Sequence, residues 1–177
     1  MFKGKKSQGA TKAEVFDIDL PRGVIERKLD GTRVMALSSQ GWTAFQKELE
    51  TTFMSGGRVI LQRLGYGYGR SLGVAIKNAG IPPEQAFGAI QSLAQEGGWG
   101  EMTLSTGDLV SGEARISVKE CFFCLHSRDA TEPVCDVLSG LIGGMLDVVF
   151  GGNHRVSEGR CIGKGDAVCE IQIELPS

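Results

Sequence analysis

Cys135, Glu158, Cys161 and Cys169 follow the pattern C-x22-E-x2-C-x7-C in the last third of the chain. Three thiolates and one carboxylate suit a tetrahedral divalent ion, zinc above all, with every position filled by protein. A closed site of that kind holds structure together and leaves no open position for a substrate. No catalytic residue is therefore expected among these four, and any activity must be sought elsewhere. The competing reading is a set of ordinary buried thiols, because free cysteine is among the most buried residue types. Glutamate is also an uncommon ligand in structural sites.

Cys121-Phe122-Phe123-Cys124 adds a second motif, since C-x2-C is itself a zinc-knuckle or redox signature. On a strand, residues three apart point to opposite faces, so a shared ion would need a turn there. Cys121 and Cys124 are accordingly expected as free thiols outside the ligand set. His126 and His154 are spare candidates, each more simply read as a surface or hydrogen-bonded histidine.

The elements that must position these residues are legible in outline. Val15 to Leu37 reads as strand-like pieces broken by turns, with Asp30-Gly31 before the run Val34 to Leu37. Trp42, Phe45 and Leu49 are spaced for an amphipathic helix. A longer helix spans roughly Ser55 to Asn78 and stops at Gly80 before Pro82-Pro83. Inside it Gly65, Gly69 and Gly73 recur every fourth residue, each costing about 1 kcal/mol against alanine. Such a stripe implies close approach of another backbone, either within the domain or in a partner. The related G-x-G-x-x-x-G spacing departs from a dinucleotide fingerprint and no strand leads into it.

Glu84 to Glu96 reads as another helix, carrying Phe87, Ile90 and Leu93. Met102 and Leu104 suggest a strand, Thr106-Gly107-Asp108 a turn, and Ala114, Ile116 and Val118 a second strand that Cys121 to Leu125 could extend. Thr131-Glu132-Pro133 looks like the start of a buried helix running to Phe150. Cys135 would then lie in its first turn, where the helix dipole favours a thiolate. A hairpin closes the chain, His154 to Ile162 and Val168 to Leu175 around Gly163-Lys164-Gly165-Asp166. Glu158 and Cys161 fall on its first arm and Cys169 on its second, so one ion could clamp the helix start to the sheet.

The chain has 177 residues, 41% hydrophobic and 23% charged, with a formal net charge of -2. That fits one globular domain and gives no electrostatic reason to bind nucleic acid or anionic membrane. Residues 1–12, with Lys3, Lys5 and Lys6, read as a flexible basic tail, and 13–177 as a single domain. No run reaches transmembrane length and the start lacks the apolar core of an export signal. Five cysteines without such a signal favour reduced thiols or metal ligands and a cytoplasmic setting.

The run Glu132-Pro133-Val134-Cys135, the glycine-interrupted helix after it and E-x2-C-x-G-x-G-x3-C-x-I resemble the 4-vinyl reductase, or hydrocarbon-binding, domain family. That family includes effector-sensing domains of phenol- and xylene-responsive regulators. The resemblance runs from about Arg33 to Leu175. It implies an α+β fold like that of the TRAPP trafficking components, an antiparallel sheet with helices packed on one face around an apolar pocket, and a homodimer. It also implies zinc on Cys135, Glu158, Cys161 and Cys169, the positions that match the three Cys and one Glu of the phenol-sensing members. Those members hold the ligand hydroxyl with a His and a Trp. Ile116 to Lys119 contains no Trp, so phenol is not the expected ligand. The regulators continue into an ATPase and a DNA-binding module that this chain lacks, so direct transcriptional control is not expected.

The leading functional expectation is a non-catalytic domain, sensor or carrier, for a small hydrophobic molecule. Trp99, Phe122, Leu138, Leu141, Ile142 and Met145 are its candidate pocket residues. Two alternatives remain. One is an enzyme component or substrate carrier in tetrapyrrole vinyl reduction, although no hydride-source motif and no nucleophile-base arrangement is present. The other is a trafficking-like protein-interaction scaffold.

Overall fold

The computed structural model describes residues 15–28, 31–127 and 130–175. The basic tail and Asp30 lie outside them. The chain divides into two compact units, one ending at Leu37 and the other beginning at Ser38.

The first unit is a hairpin. Strands β1 (Phe16–Asp19) and β2 (Val24–Arg27) pair antiparallel, with Ile18 opposite Ile25. Gly23, at φ 62°, closes the turn by donating its N–H to Leu20 O at 3.1 Å. The chain then returns along β2 through Arg27 N–H to Thr32 O and Val34 N–H to Ile25 O. The strand expected over Val34 to Leu37 is reduced to a single bridge between Glu26 and Arg33.

The second unit opens with α1 (Ser39–Phe53), capped by Ser38, whose Oγ accepts from Gly41 N–H at 3.1 Å. The buried face carries Trp42, Thr43 and Gln46. Phe45, which the spacing put on that face, sits at its rim and is 48% exposed. Met54, at φ 53°, breaks the chain between α1 and α2 (Ser55–Asn78). Helix α2 ends where the sequence indicates, with Gly80 at φ 70° ahead of Pro82-Pro83. Helix α3 (Ala86–Gly97) starts later than expected, because Pro83–Gln85 form a tighter 3-10 turn first. It buries Ala86, Ile90 and Ala94 and stops at Gly98 in the left-handed conformation.

Strands β3 (Glu101–Asp108), β4 (Glu113–Lys119), β5 (Arg155–Arg160) and β6 (Cys169–Glu174) form an antiparallel sheet in the order β3-β4-β6-β5. The turn expected at Thr106-Gly107-Asp108 is instead the end of β3. A register shift between Leu104 and Thr106 carries the strand past Ser105, and the chain reverses after Asp108. There Asp108 Oδ1 accepts the N–H groups of Val110 and Ser111 at 2.7 and 2.9 Å. Ala114, Ile116 and Val118 face Ile173, Ile171 and Cys169 across β4 and β6, and all six are buried. The intervening Arg115, Ser117, Glu170 and Gln172 share the other, less buried face. The sheet thus has one face committed to the core.

Helix α4 (Asp136–Val149) is buried continuously from Val137 to Leu146. It begins later than Thr131-Glu132-Pro133 suggests. Proline disfavours helical backbone at Glu132, and Arg58 of α2 holds this segment in an irregular path. Its Nη2 donates to Pro133 O at 2.7 Å and its Nε to Asp136 Oδ2 at 3.0 Å, and Nη1 pairs with Glu132. Cys135 therefore stands at the cap of α4 rather than in its first turn.

The glycine stripe faces α4 of the same chain. A Cβ on Gly65 would strike Val137 O, and one on Gly69 would strike Leu141 O. Reciprocally, a Cβ on Gly140 would meet Gln62 O and one on Gly144 would meet Tyr66 O. The two helices are in backbone-to-backbone contact, which small residues alone permit. Leu138, Leu141, Ile142 and Met145 of α4 join Met102, Ile116, Val118, Ile171 and Ile173 of the sheet in one apolar core. No helix among the described residues is long and apolar enough to cross a membrane.

Candidate metal centre

Three pieces of chain converge at one end of the buried helix. Cys169 opens β6 directly opposite Val118 of β4. Past Lys119 the chain does not extend as a strand. Glu120 takes φ 50° and residues Phe122–Cys124 form a 3-10 turn. The turn is pinned by Trp42 Nε1–H to Phe123 O at 3.1 Å and by Phe122 N–H to Trp99 O at 3.1 Å. That supplies the condition a C-x2-C pair needs to aim both thiols one way. Cys135 enters from the cap of α4.

Glu158 and Cys161 come from β5 and the turn that follows it. A 3-10 turn at Ile162–Lys164 folds back on Cys161, whose carbonyl accepts from Lys164 and Asp166 N–H at 2.9 and 3.2 Å. Asp166 Oδ2 takes the Cys161 N–H in return at 2.9 Å. Gly163 has no room for a side chain there: a Cβ would lie 2.9 Å from Ser127 O and 3.4 Å from Cys161 Sγ. The Ile162 N–H points at Cys169 Sγ at 3.4 Å, a donor aimed at a sulfur that would carry charge.

All five cysteines are free and fully buried. Cys135 Sγ lies 3.7 Å from Cys169 Sγ and 3.9 Å from Cys161 Sγ. Glu158 Oε2 accepts the Cys135 N–H at 2.8 Å, while its Oε1 is buried with no hydrogen-bond partner. A buried, unpartnered carboxylate oxygen is costly unless something else satisfies it. The ligand atoms of Cys135, Glu158, Cys161 and Cys169 all lie within 4.8 Å of one another and could hold a metal ion.

Cys121 and Cys124, expected outside this set, lie against it. Cys121 Sγ is 3.6 Å from Cys135 Sγ, and Cys124 Sγ is 3.3 Å from Cys169 Sγ. Cys121, Cys124, Cys135 and Cys169 form a second group of four within the same 4.8 Å limit. The signal for this was present in the sequence, since five consecutive apolar residues from Cys121 to Leu125 break the alternation of the strand before them.

The thiols titrate as a group. Hydrogen bonds from Cys121 first, then from Cys135, Cys161 and Cys169, pull Cys124 far below the ordinary thiol range. Hydrogen bonding with Cys121 and then Cys124, with burial adding, pushes Cys135 up. Burial pushes Glu158 above the usual carboxylate range, against the opposing pull of the Cys135 N–H.

The two histidines are occupied elsewhere. His154 Nδ1 lies 2.9 Å from Asp147 Oδ1, and Tyr66 OH donates to Asp147 Oδ2 at 2.8 Å. His126 Nε2 lies 2.9 Å from Ser39 Oγ. Of the candidate pocket residues, Leu138, Leu141, Ile142 and Met145 lie in the core along α4. Trp99 is buried beside Tyr68, at 6.4 Å between rings, and Phe122 packs at 6.5 Å from Trp42. Two surface clefts lie apart from these residues. One, of about 470 Å³, runs along Thr106, Arg115 and Gln172; the other, of about 220 Å³, lies between Gln46, Glu50 and Val134.

Comparison with known proteins places these observations. Residues 114–175, which contain all five cysteines and Glu158, match the 4-vinyl reductase (V-4-R) domain. No curated protein matches the chain. Among solved structures, the phenol-responsive sensory domain of the transcription activator PoxR, with phenol, superimposes with a TM-score of 0.76 at 22% identity. The match covers 92% of this chain and 86% of that one. A vinyl-4-reductase family protein from Methanocaldococcus jannaschii gives a TM-score of 0.59 at 14% identity, over 81% of this chain and 85% of that one. A trafficking protein particle complex subunit 3 from Naegleria fowleri, covalently bound to palmitic acid, gives 0.60 at 14%, over 78% and 93%. The fold is the α+β fold these proteins share.

Proposed function

Taking the 4-vinyl reductase domain match over residues 114–175 as premise, we propose that this chain is a cytoplasmic, non-catalytic domain that binds a small hydrophobic molecule, as a sensor or carrier. The observation that carries the reading is the likeness to a phenol-responsive sensory domain over 92% of the chain. A palmitate-bound relative in fold adds that this architecture accepts apolar ligands. Trp99, Phe122, Leu138, Leu141, Ile142 and Met145 are the residues we assign to the ligand pocket. Burial of apolar surface, about 25 cal/mol per Å2, should dominate affinity. Long-chain or polycyclic molecules should then bind better than phenol.

Zinc is the ion we assign to Cys135, Glu158, Cys161 and Cys169. A tetrahedral ion about 2.3 Å from sulfur sets ligand atoms roughly 3.8 Å apart, close to the 3.7 and 3.9 Å between these sulfurs. The unpartnered Glu158 Oε1 supplies the fourth donor. The ion would tie the cap of α4 to β5 and β6, and its role is structural.

We assign a homodimer from the family resemblance, with apolar side chains open on α1 and α2, among them Phe53, Met54, Val59 and Tyr68. The same exposed positions, with the trafficking-subunit fold, favour a second reading as an interaction scaffold. A thermal-shift panel of fatty acids, aromatics and porphyrins separates the two. A ligand at a hundred times its Kd should stabilise the protein by about 2.7 kcal/mol. If no member of the panel moves the Tm, the sensor reading falls and the scaffold takes its place.

A further inference from the structure

The two groups of four described above share two members, Cys135 and Cys169. We propose that the centre is binuclear: one ion on Cys121, Cys124, Cys135 and Cys169, a second on Cys135, Cys169, Cys161 and Glu158, with the sulfurs of Cys135 and Cys169 bridging both. The proposal rests on the single-ion reading and extends it by one ion.

Geometry supports the shared edge. Two tetrahedra that share an edge need a pair of sulfurs about one tetrahedral edge apart, roughly 3.8 Å for a zinc-thiolate site. Cys135 and Cys169 are 3.7 Å apart. The terminal sulfurs lie at matching distances from this pair. Cys121 is 3.6 Å from Cys135, Cys124 is 3.3 Å from Cys169, and Cys161 is 3.9 Å from Cys135.

Either ion alone leaves part of the cluster without a role. An ion on Cys135, Glu158, Cys161 and Cys169 strands two fully buried thiols against its own ligands. An ion on the four cysteines strands the Glu158 carboxylate, whose Oε1 has no partner. Two ions use all six donors. The 3-10 turn that aims Cys121 and Cys124 together is the backbone form a metal knuckle requires, and Trp42 and Trp99 hold it in place.

Charge balances as well. Binding the second ion removes a proton from each of Cys121 and Cys124, released to solvent, and forms two new metal-sulfur bonds along with the two bridges. The two thiolates added offset the two positive charges added. The buried centre therefore carries the same net charge with two ions as with one.

Metal counting on the full chain tests this, because zinc and cobalt(II) can be used as probes without knowing any ligand. Native mass spectrometry of protein refolded with excess zinc should show two ions per chain. In a cobalt(II) titration the high-spin EPR signal should grow to one equivalent and fall toward two, as the bridging thiolates couple the ions. The Cys121→Ser/Cys124→Ser variant should saturate at one. A wild-type chain that saturates at one ion overturns the binuclear centre and leaves the single-ion reading intact. No ion at all, or a Cys124–Cys169 disulfide in its place, overturns both. Should the double variant fail to fold, the wild-type count and the EPR course decide alone.

Discussion

Cys135 and Cys169 each touch more of the sulfur cluster than any other member, so their removal should be felt most. Metal binding free energy is folding free energy where the site exists only in the folded chain. Cys169→Ala should lower the Tm of zinc-loaded protein by far more than it lowers that of chelated protein, a difference calorimetry reads directly. Glu158 gives a second, opposite effect. Burial raises its pKa, so the fold favours the neutral acid. In chelated protein that contribution is whole below the ordinary carboxylate range and is lost as pH rises through the raised value. Glu158→Gln should therefore flatten the loss of Tm on raising pH in chelator, while weakening metal retention when ions are present. A variant whose pH profile in chelator matches the parent would remove Glu158 as the cause. At this scale the chemistry was legible: residue types alone pointed to Cys135, Glu158, Cys161 and Cys169. Cys121 and Cys124 were misplaced because a strand was carried past Lys119, where Glu120 turns the chain through a backbone conformation nothing in its side chain announces.

Helices α2 and α4 depend on glycines that differ sharply in what surrounds them. A Cβ on Gly69 would fall on Leu141 O, whereas one on Gly67 would meet open space. Gly67→Ala should then stabilise by about 1 kcal/mol through helix propensity. Gly69→Ala should destabilise by about 1–3 kcal/mol through overpacking against a carbonyl that cannot swing aside. Urea midpoints for the pair measure both signs in one helix. Arg58 gives a third test, since its guanidinium closes on Asp136 and on Pro133 O. Arg58→Met should free the segment that delivers Cys135 and speed metal loss to a chelator, with little change in helix content. The extent of α2 was readable from its glycine stop and prolines. The start of α4 was not, because a residue some 75 positions upstream, Arg58, decides it. The stripe alone could not tell an internal neighbour from a partner chain, and the reciprocal Gly140 and Gly144 settle it in favour of α4.

For the molecule as a whole, the alternation of Ala114, Ile116 and Val118 and of Cys169, Ile171 and Ile173 made the covered sheet face legible. The order β3-β4-β6-β5 was not, since pairing β4 with β6 requires α4 to pass between them in the chain. The homodimer belongs to this scale. Sedimentation at micromolar concentration should give twice the chain mass, and Val59→Asp with Tyr68→Asp on the exposed side of α2 should halve it without unfolding the protein. A parent that sediments as a monomer removes the dimer. The contact between α2 and α4 carries one more consequence, in time rather than in energy. Helices joined through side chains can loosen by degrees, as rotamers give way one after another. Helices seated backbone on backbone have no such slack: once the carbonyls of Val137 and Leu141 leave Gly65 and Gly69, nothing longer bridges the gap. Their amide protons should therefore exchange with solvent as one cooperative unit, at a common slow rate across both helices.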